Sequence, residues 1–459
     1  MSKGFVLLII FCFLTLTCVF VIKPVSAISG KDDTWVTKAP LPQVIALPSA
    51  AGGRAAVVAG KIYVVGGSAS YEYDPAANTW SAKTPMPTPR FYFGIASYQN
   101  KIYTIGGFNF VNGTPTRYSV NEIYDTATDT WQTKQPMPTS RYDLTAETVN
   151  GEIYLIGGTF GDTNNPPIKS TLSMNEVYDI ANDSWTTKES SPYPARSYAS
   201  SVSDGKIYII SQYFTQIYYP GNDTWSQGTS MPTPVSNAAA VATIGVQAQK
   251  LIYVFGGASA IDKTLVGTDL TQVYNPENNS WTYGAPMPTA REWLTAAAVD
   301  DTVYVIGGSV GLSLPALTNN EVYTPFGYGT VPPVISLISP ENTNYSFTNI
   351  SLSFSVNKAV NWIGYSFDGQ QNVTILGNCT IDNITNGLHI VKVYANDTFG
   401  NIGASETRNF SVAALPLAKP ESSPTLPLVA VSVLIVVAVV AGLLVFCRRN
   451  RQIKHCEFK

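Results

Sequence analysis

The chain has 459 residues, 45% hydrophobic, 12% aromatic and only 13% charged, with a formal net charge of −3. That length accommodates more than one domain, and so low and balanced a charge lacks the basic footprint of a nucleic-acid binder. Few charges with many Thr, Ser, Asn and Tyr residues fit an exported β protein.

Residues 1–27 are laid out as a secretory signal peptide: Lys3, an apolar run from Phe5 to Ile22, and the small-residue site Val25-Ser26-Ala27. An uncleaved anchor is the alternative, and either would export the β domain behind it. Cys12 and Cys18 fall in this segment and Cys447 and Cys456 near the C-terminus, which leaves Cys379 alone in the exported part. No intramolecular disulfide is expected there, and a large β domain buries enough core without one.

A repeat then governs the chain. Its clearest copy runs from Arg90 to Trp131: a strand over Phe91–Tyr98, a Gln99-Asn100 turn, a strand over Ile102–Ile105 stopped by Gly106-Gly107, a strand over Glu122–Tyr124, and a fourth opening at Trp131. Period-two alternation of β-branched and aromatic residues, broken by Gly, Asn and Asp, is a strand-and-hairpin pattern. The double glycine returns at Gly66-Gly67, Gly157-Gly158, Gly256-Gly257 and Gly307-Gly308. The tryptophan returns at Trp35, Trp80, Trp185, Trp225 and Trp281, usually followed by a Met-Pro or Leu-Pro turn and then an arginine. One copy has drifted: Ser211-Gln212 replaces the glycines and Val235 the arginine, while Tyr208 and Trp225 keep their places.

These residues, from 33 to about 326, resemble the kelch motif, whose units are four-stranded blades ringed around a channel. Six double-glycine positions, counting the drifted one, and six tryptophans imply an all-β, six-bladed propeller over residues 28–326. The last copy has strands at Thr295–Val299, Val303–Ile306 and Glu321–Tyr323 and no tryptophan, whereas Asp33-Thr34-Trp35 is an orphan fourth strand. The Trp35 strand is therefore expected to complete the final blade and remove the ring's open edges.

A Gly/Pro hinge, 327–333, leads to alternating segments at Ser351–Val356, Trp362–Phe367 and Leu388–Tyr394, with turns at Asp368-Gly369, Asn386-Gly387 and Phe399-Gly400-Asn401. This spacing over residues 332–413 resembles a small immunoglobulin-like or fibronectin-like sandwich, although the Cys-Trp-Cys signature is missing. Residues 414–427 form a Pro/Ser-rich linker. Residues 428–447 carry no charge and are followed by Arg448-Arg449-Asn450-Arg451, which predicts one transmembrane helix with the tail 448–459 in the cytoplasm. Asn-x-Ser/Thr acceptors at Asn344, Asn349, Asn372, Asn378, Asn383, Asn396 and Asn409 crowd the sandwich region and are expected to be glycosylated. Those at Asn182, Asn222 and Asn278 fall before tryptophans, where turn geometry calls for Asn.

The paired glycines end strands and lead into loops, so they form no phosphate-binding fingerprint. Asp397-x-x-Gly400-Asn401 has the outline of a calcium-loop fragment and is better explained as a turn. For recognition, the kelch resemblance places Arg54, Arg90, Arg141, Arg196 and Arg291 at the starts of innermost strands, near one mouth of the channel. Tyr92, Tyr142, Tyr198 and Trp293 accompany them, a set suited to carboxylates, sulfates or sugars; the competing assignment is that each arginine braces blade backbone. Loops at 108–121, 159–175, 258–271 and 309–320 share that mouth and suit recognition. Catalysis has little basis. The histidines are His389 and His455, so no copper site of the galactose-oxidase kind exists in the propeller. No cofactor and no metal site are expected, and isolated acids such as Asp143, Glu147 and Glu292 are ordinarily surface or paired groups. The expectation is a non-enzymatic cell-surface module that binds an extracellular protein or glycan. The alternative is a sugar-active enzyme resembling the sialic-acid mutarotase type, with Arg291 and Glu292 as its acid–base candidates.

Overall fold

The computed structural model describes residues 32–47, 50–51, 53–160, 170–196, 198–261, 264–311 and 315–413. The signal segment, the linker 414–427, the apolar segment 428–447 and the tail lie outside the described residues. Among the described residues no helix is long and apolar enough to cross a membrane.

Residues up to 324 form six four-stranded antiparallel sheets. In the first blade the strands are Arg54–Val58, Lys61–Gly66, Ala69–Asp74 and Thr79–Ala82. The innermost strands of the other blades are Gly94–Tyr98, Thr145–Val149, Ala199–Ser203, Ala239–Ala242 and Thr295–Val299. Each innermost strand lies beside the next, and the sixth lies beside the first, so the ring is closed. The second blade's inner strand starts at Gly94 and not at Phe91, because Tyr92 turns the chain with a φ of 54°.

Thr34–Thr37 pairs with Asn320–Thr324, placing Trp35 opposite Tyr323. One clasp repeats at every blade and explains this closure. A tyrosine on the third strand stacks on the tryptophan of the fourth at 4.8–5.1 Å, from Tyr73–Trp80 round to Tyr323–Trp35. The tyrosine hydroxyl donates to an Asp or Asn just ahead of the tryptophan, at 2.6–2.8 Å. That same Oδ1 accepts a backbone N–H of the neighbouring blade, and the indole Nε1 donates to a carbonyl there. Asp33 and Trp35 supply the sixth clasp from the opposite end of the chain, reaching Ala285 of the fifth blade.

The clasp residue has a left-handed backbone at all six sites, φ 48–56°, which Asp and Asn tolerate best. These sites are Asp33, Asn78, Asp129, Asp183, Asp223 and Asn279. The acceptor asparagines Asn182, Asn222 and Asn278 sit one residue earlier, so the turn geometry ascribed to them belongs to their neighbours.

The double glycines let the next blade's lead-in pass close by. A Cβ on Gly256 would sit 2.4 Å from the carbonyl oxygen of Arg291, and one on Gly106 2.8 Å from that of Arg141. In the drifted fourth blade a short turn, Ser211 N–H to Phe214 O, replaces the long loop, and the glycines are not needed.

Residues 335–412 form a second β region of two sheets. One holds Ile335–Ser339, Ile350–Val356 and Cys379–Ile381, and the other is built around Gly387–Asp397. Asp397 accepts the N–H groups of Phe399 and Asn401, each at 2.9 Å, and an ion pair from Lys358. That network makes the Asp397–Asn401 segment a turn whose carboxylate is already occupied.

Candidate functional site

Three of the five arginines assigned to the mouth belong elsewhere. Arg90, Arg141 and Arg291 are 0% exposed and ion-paired with Glu122, Glu176 and Glu321, themselves buried. Each also donates to second-strand carbonyls, such as Thr104 for Arg90 and Leu155 for Arg141. The chain supplies its own control. In the fourth and fifth blades the arginine is lost and the glutamate becomes Gln216 or Gln272, whose amide bonds the backbone of Tyr193 or Thr233. Arginine and glutamate are exchanged together, so the pair is a brace.

The remaining two are not equivalent to these. In the fourth blade Ala195 takes the bracing position, since its carbonyl accepts from Gly158 as that of Arg141 accepts from Gly107. Arg196 is thereby shifted one place and is exposed. Arg54 sits four positions further along, as the first residue of its inner strand, level with Gly94, Thr145, Ala199, Ala239 and Thr295. It is half-buried and lines a cavity in the channel. The residue types suggest five like arginines; register separates them into three roles.

Around Arg54 the structure gathers Tyr92, Asp143 and Tyr198. Burial lowers the pKa of the guanidinium, and Asp143, Tyr92 and Tyr198 oppose that shift. Tyr92 and Trp293 pack edge to face at 5.2 Å, each half-buried and each at a positive φ, 54° and 56°. Holding two bulky side chains in that backbone region costs on the order of 1–2 kcal/mol each, the kind of strain that concentrates at functional sites. Asp143 and Asn237 occupy the equivalent turns in neighbouring blades, φ 58° and 57°. Asp143 N–H donates to Tyr92 O at 2.8 Å and Trp293 N–H to Asn237 O at 3.0 Å, linking the turns into a collar.

Tyr198 is buried, and burial pushes its hydroxyl up to about 12; it donates to Ile156 O and accepts from Thr145. Tyr142 is a packing residue, buried against Phe108 at 5.2 Å, and is no longer a ligand candidate. Arg291 and Glu292 form no reachable acid–base pair. Arg291 braces its blade, and Glu292 is 0% exposed, bonded to Asn237 at 2.9 Å and raised in pKa by burial.

Sequence reasoning missed one cation here. Arg117, on the hairpin Phe108–Val111/Thr114–Arg117, lies over the exposed Phe160 ring at 4.4 Å. With Arg196 it raises the positive potential around Tyr142. Only the hairpin brings Arg117 to that place, and no motif marks it. Glu147, noted as an isolated acid, also lines the cavity, where it accepts from Ser200; burial moves its carboxyl up to about 7. Among the described residues no group of His, Cys, Asp and Glu is arranged to hold a metal.

In the second β region Asn344, Asn349, Asn372, Asn378, Asn383 and Asn409 are exposed, while Asn396 is half-buried with its Oδ1 enclosed.

Six blades with a shared clasp, double glycines and buried braces define a kelch-repeat β-propeller. Residues 102–324 match the family model described as Attractin/LZTR1 beta-propeller, and residues 50–87 match the Kelch motif. Alpha-scruin of Limulus polyphemus is 24% identical over 274 residues, covering 56% of this chain and 29% of that protein. Kelch-like protein 15 of Danio rerio is 26% identical, covering 52% and 33%; Kelch-like protein terF of Aspergillus terreus is 26% identical, covering 56% and 60%. The chain thus spans less than two thirds of each of these relatives. Among solved structures, YjhT superposes with a TM-score of 0.53 at 16% identity over 62% of this chain and 96% of that one, a likeness of fold.

Proposed function

We propose that the chain is a non-catalytic recognition protein whose propeller binds an acidic protein or glycan at the mouth that carries Arg54. The observation behind this is the collar. Arg54, Tyr92, Asp143 and Trp293 converge there, with Arg117 and Arg196 on the neighbouring loops, whereas the other repeat arginines are locked in braces. Partner recognition is what the kelch-like relatives' fold also favours. The setting we propose is a cell surface, with residues 1–27 directing export, 428–447 anchoring the chain and the exposed acceptor asparagines carrying glycans.

The test is binding of the full-length protein to arrays of acidic and neutral glycans and to surface proteins. Acidic ligands are expected to bind, and Arg54→Gln with Arg196→Gln to weaken them by about tenfold or more. Binding indifferent to both substitutions refutes the site.

A sugar-active enzyme is the second reading, favoured by Glu147, a channel carboxyl with a pKa near 7 that suits proton transfer. Turnover on a sugar panel that disappears in Glu147→Gln would establish it.

A further inference from the structure

We propose that the channel cavity binds a small amphoteric molecule, an aliphatic amino carboxylate, with its carboxylate on Arg54 and its ammonium on Glu147. This deepens the assignment of the Arg54 mouth to anion recognition and depends on it.

Matching registers put the inner strands in layers. The first layer is Arg54, Gly94, Thr145, Ala199, Ala239 and Thr295; the third, two residues deeper, is Ala56, Ala96, Glu147, Ser201, Val241 and Ala297. One cation stands in the upper layer and one carboxyl in the lower, about 7 Å apart along the axis at ~3.3 Å per residue. The space they share is a cavity of ≈ 390 Å³, within the size range of small-molecule sites. Its wall is otherwise largely alanine, serine and threonine.

Neither charge is needed to close the ring, since glycine, threonine or alanine stands at the level of Arg54 in the other blades, and alanine, serine or valine at the level of Glu147. Among the described residues no ion pair joins Arg54 to Glu147. Each bears the cost of partial burial separately, which is expected where the missing counter-charge arrives with a ligand. Asp143 takes part of the field of Arg54, but a guanidinium offers five donors and a carboxylate accepts about four hydrogen bonds, so both ends have capacity left. At the opposite end of the cavity Asp301 is fully engaged by the N–H groups of Ile244, Val246, Gln247 and Ala248.

The titratable groups that share the cavity wall with Glu147 are Arg54, Tyr198, Asp300 and Asp301, and Tyr154 is its partner across the ladder. Burial brings the Glu147 carboxyl up to about 7, within reach of neutrality. An ammonium docked there favours the carboxylate, so affinity rises as pH increases from about 6 to about 8.

The experiment is calorimetry on the full-length protein with a ladder of unbranched amino carboxylates, from glycine to 8-aminooctanoate, beside butyrate and butylamine. One chain length is expected to bind at least about tenfold more tightly than either monofunctional compound, an advantage lost in Arg54→Gln and in Glu147→Gln. The pH dependence is expected to vanish in Glu147→Gln. The length series in the wild-type protein needs no variant to fold. Amino carboxylates no tighter than butyrate overturn the inference; if butyrate binding still depends on Arg54, the anion-binding mouth stands without it. Absence of any Arg54-dependent acid binding removes both.

Discussion

At the scale of single residues, the braces are the most sharply testable feature. Arg141→Ala would leave Glu176 buried without its counter-ion, which costs about 3–5 kcal/mol. The double change Arg141→Ala with Glu176→Gln reproduces the Ala195/Gln216 combination of the fourth blade. It is expected to be closer to wild type than the single variant, as urea unfolding midpoints will show. The exchange is visible once the blades are aligned: Asn-Glu precedes Ile/Val-Tyr in the three braced blades, and Thr-Gln replaces it in the fourth and fifth. Residue type alone does not reveal it, because the partner of each arginine lies on the third strand, some thirty residues away in sequence. A second single residue, His389, titrates. Burial lowers its pKa, but Nδ1 faces Asp368 at 2.8 Å and Nε2 faces the Thr385 carbonyl at 2.7 Å, and the net shift is upward. A raised folded pKa gives stability that is complete below the unfolded value of about 6.5 and is lost as pH rises through the folded one. The melting-temperature advantage of wild type over His389→Gln is therefore expected to be largest near pH 5.5 and to shrink toward pH 8.5.

At the scale of elements, the clasp decides how the ring holds. Asp33 accepts both the Tyr323 hydroxyl, at 2.7 Å, and the Ala285 N–H, at 2.6 Å. Trp35 packs on Tyr323 and Phe255, 5.0 and 5.5 Å away. Trp35→Ala removes the stack, the indole hydrogen bond and part of the contact between the fifth and sixth blades. A large-to-small change of this kind costs about 3 kcal/mol in a core, less here because Trp35 is half-buried. Limited proteolysis should then cut first in the sixth blade, whose outer strand has been weakened; first cuts in another blade would mean that the ring opens elsewhere. The pairing of this strand with the last blade could be foreseen because its residues match the fourth-strand pattern of every other copy. The level of Arg54 could not. The apolar alternation is the same whether an arginine begins the inner strand or precedes it by four residues, and only the ladder registers distinguish the two. The left-handed turns at Tyr92 and Trp293 were also hidden, since aromatic residues carry no turn signal.

At the scale of the whole molecule, the formal charge is −3, so an acidic partner meets a weak net repulsion and any attraction has to be local. The cations at the mouth differ in depth, and depth sets how each acts. Arg196 is exposed and can steer an approaching acid, whereas Arg54 is half-buried and lines the cavity wall. Steering by an exposed charge fades over a Debye length, roughly 10 Å at 0.1 M salt. Peripheral charges chiefly change association rates, and desolvated ones chiefly change dissociation rates. Arg196→Glu is thus expected to slow association with an acidic ligand severalfold while leaving its dissociation nearly constant, an effect that disappears in high salt. Arg54→Gln is expected to speed dissociation at any salt concentration. Surface-plasmon measurements at low and high ionic strength separate the two. If both substitutions change the same rate with the same salt dependence, the two arginines do not act at different depths and the layered mouth is wrong.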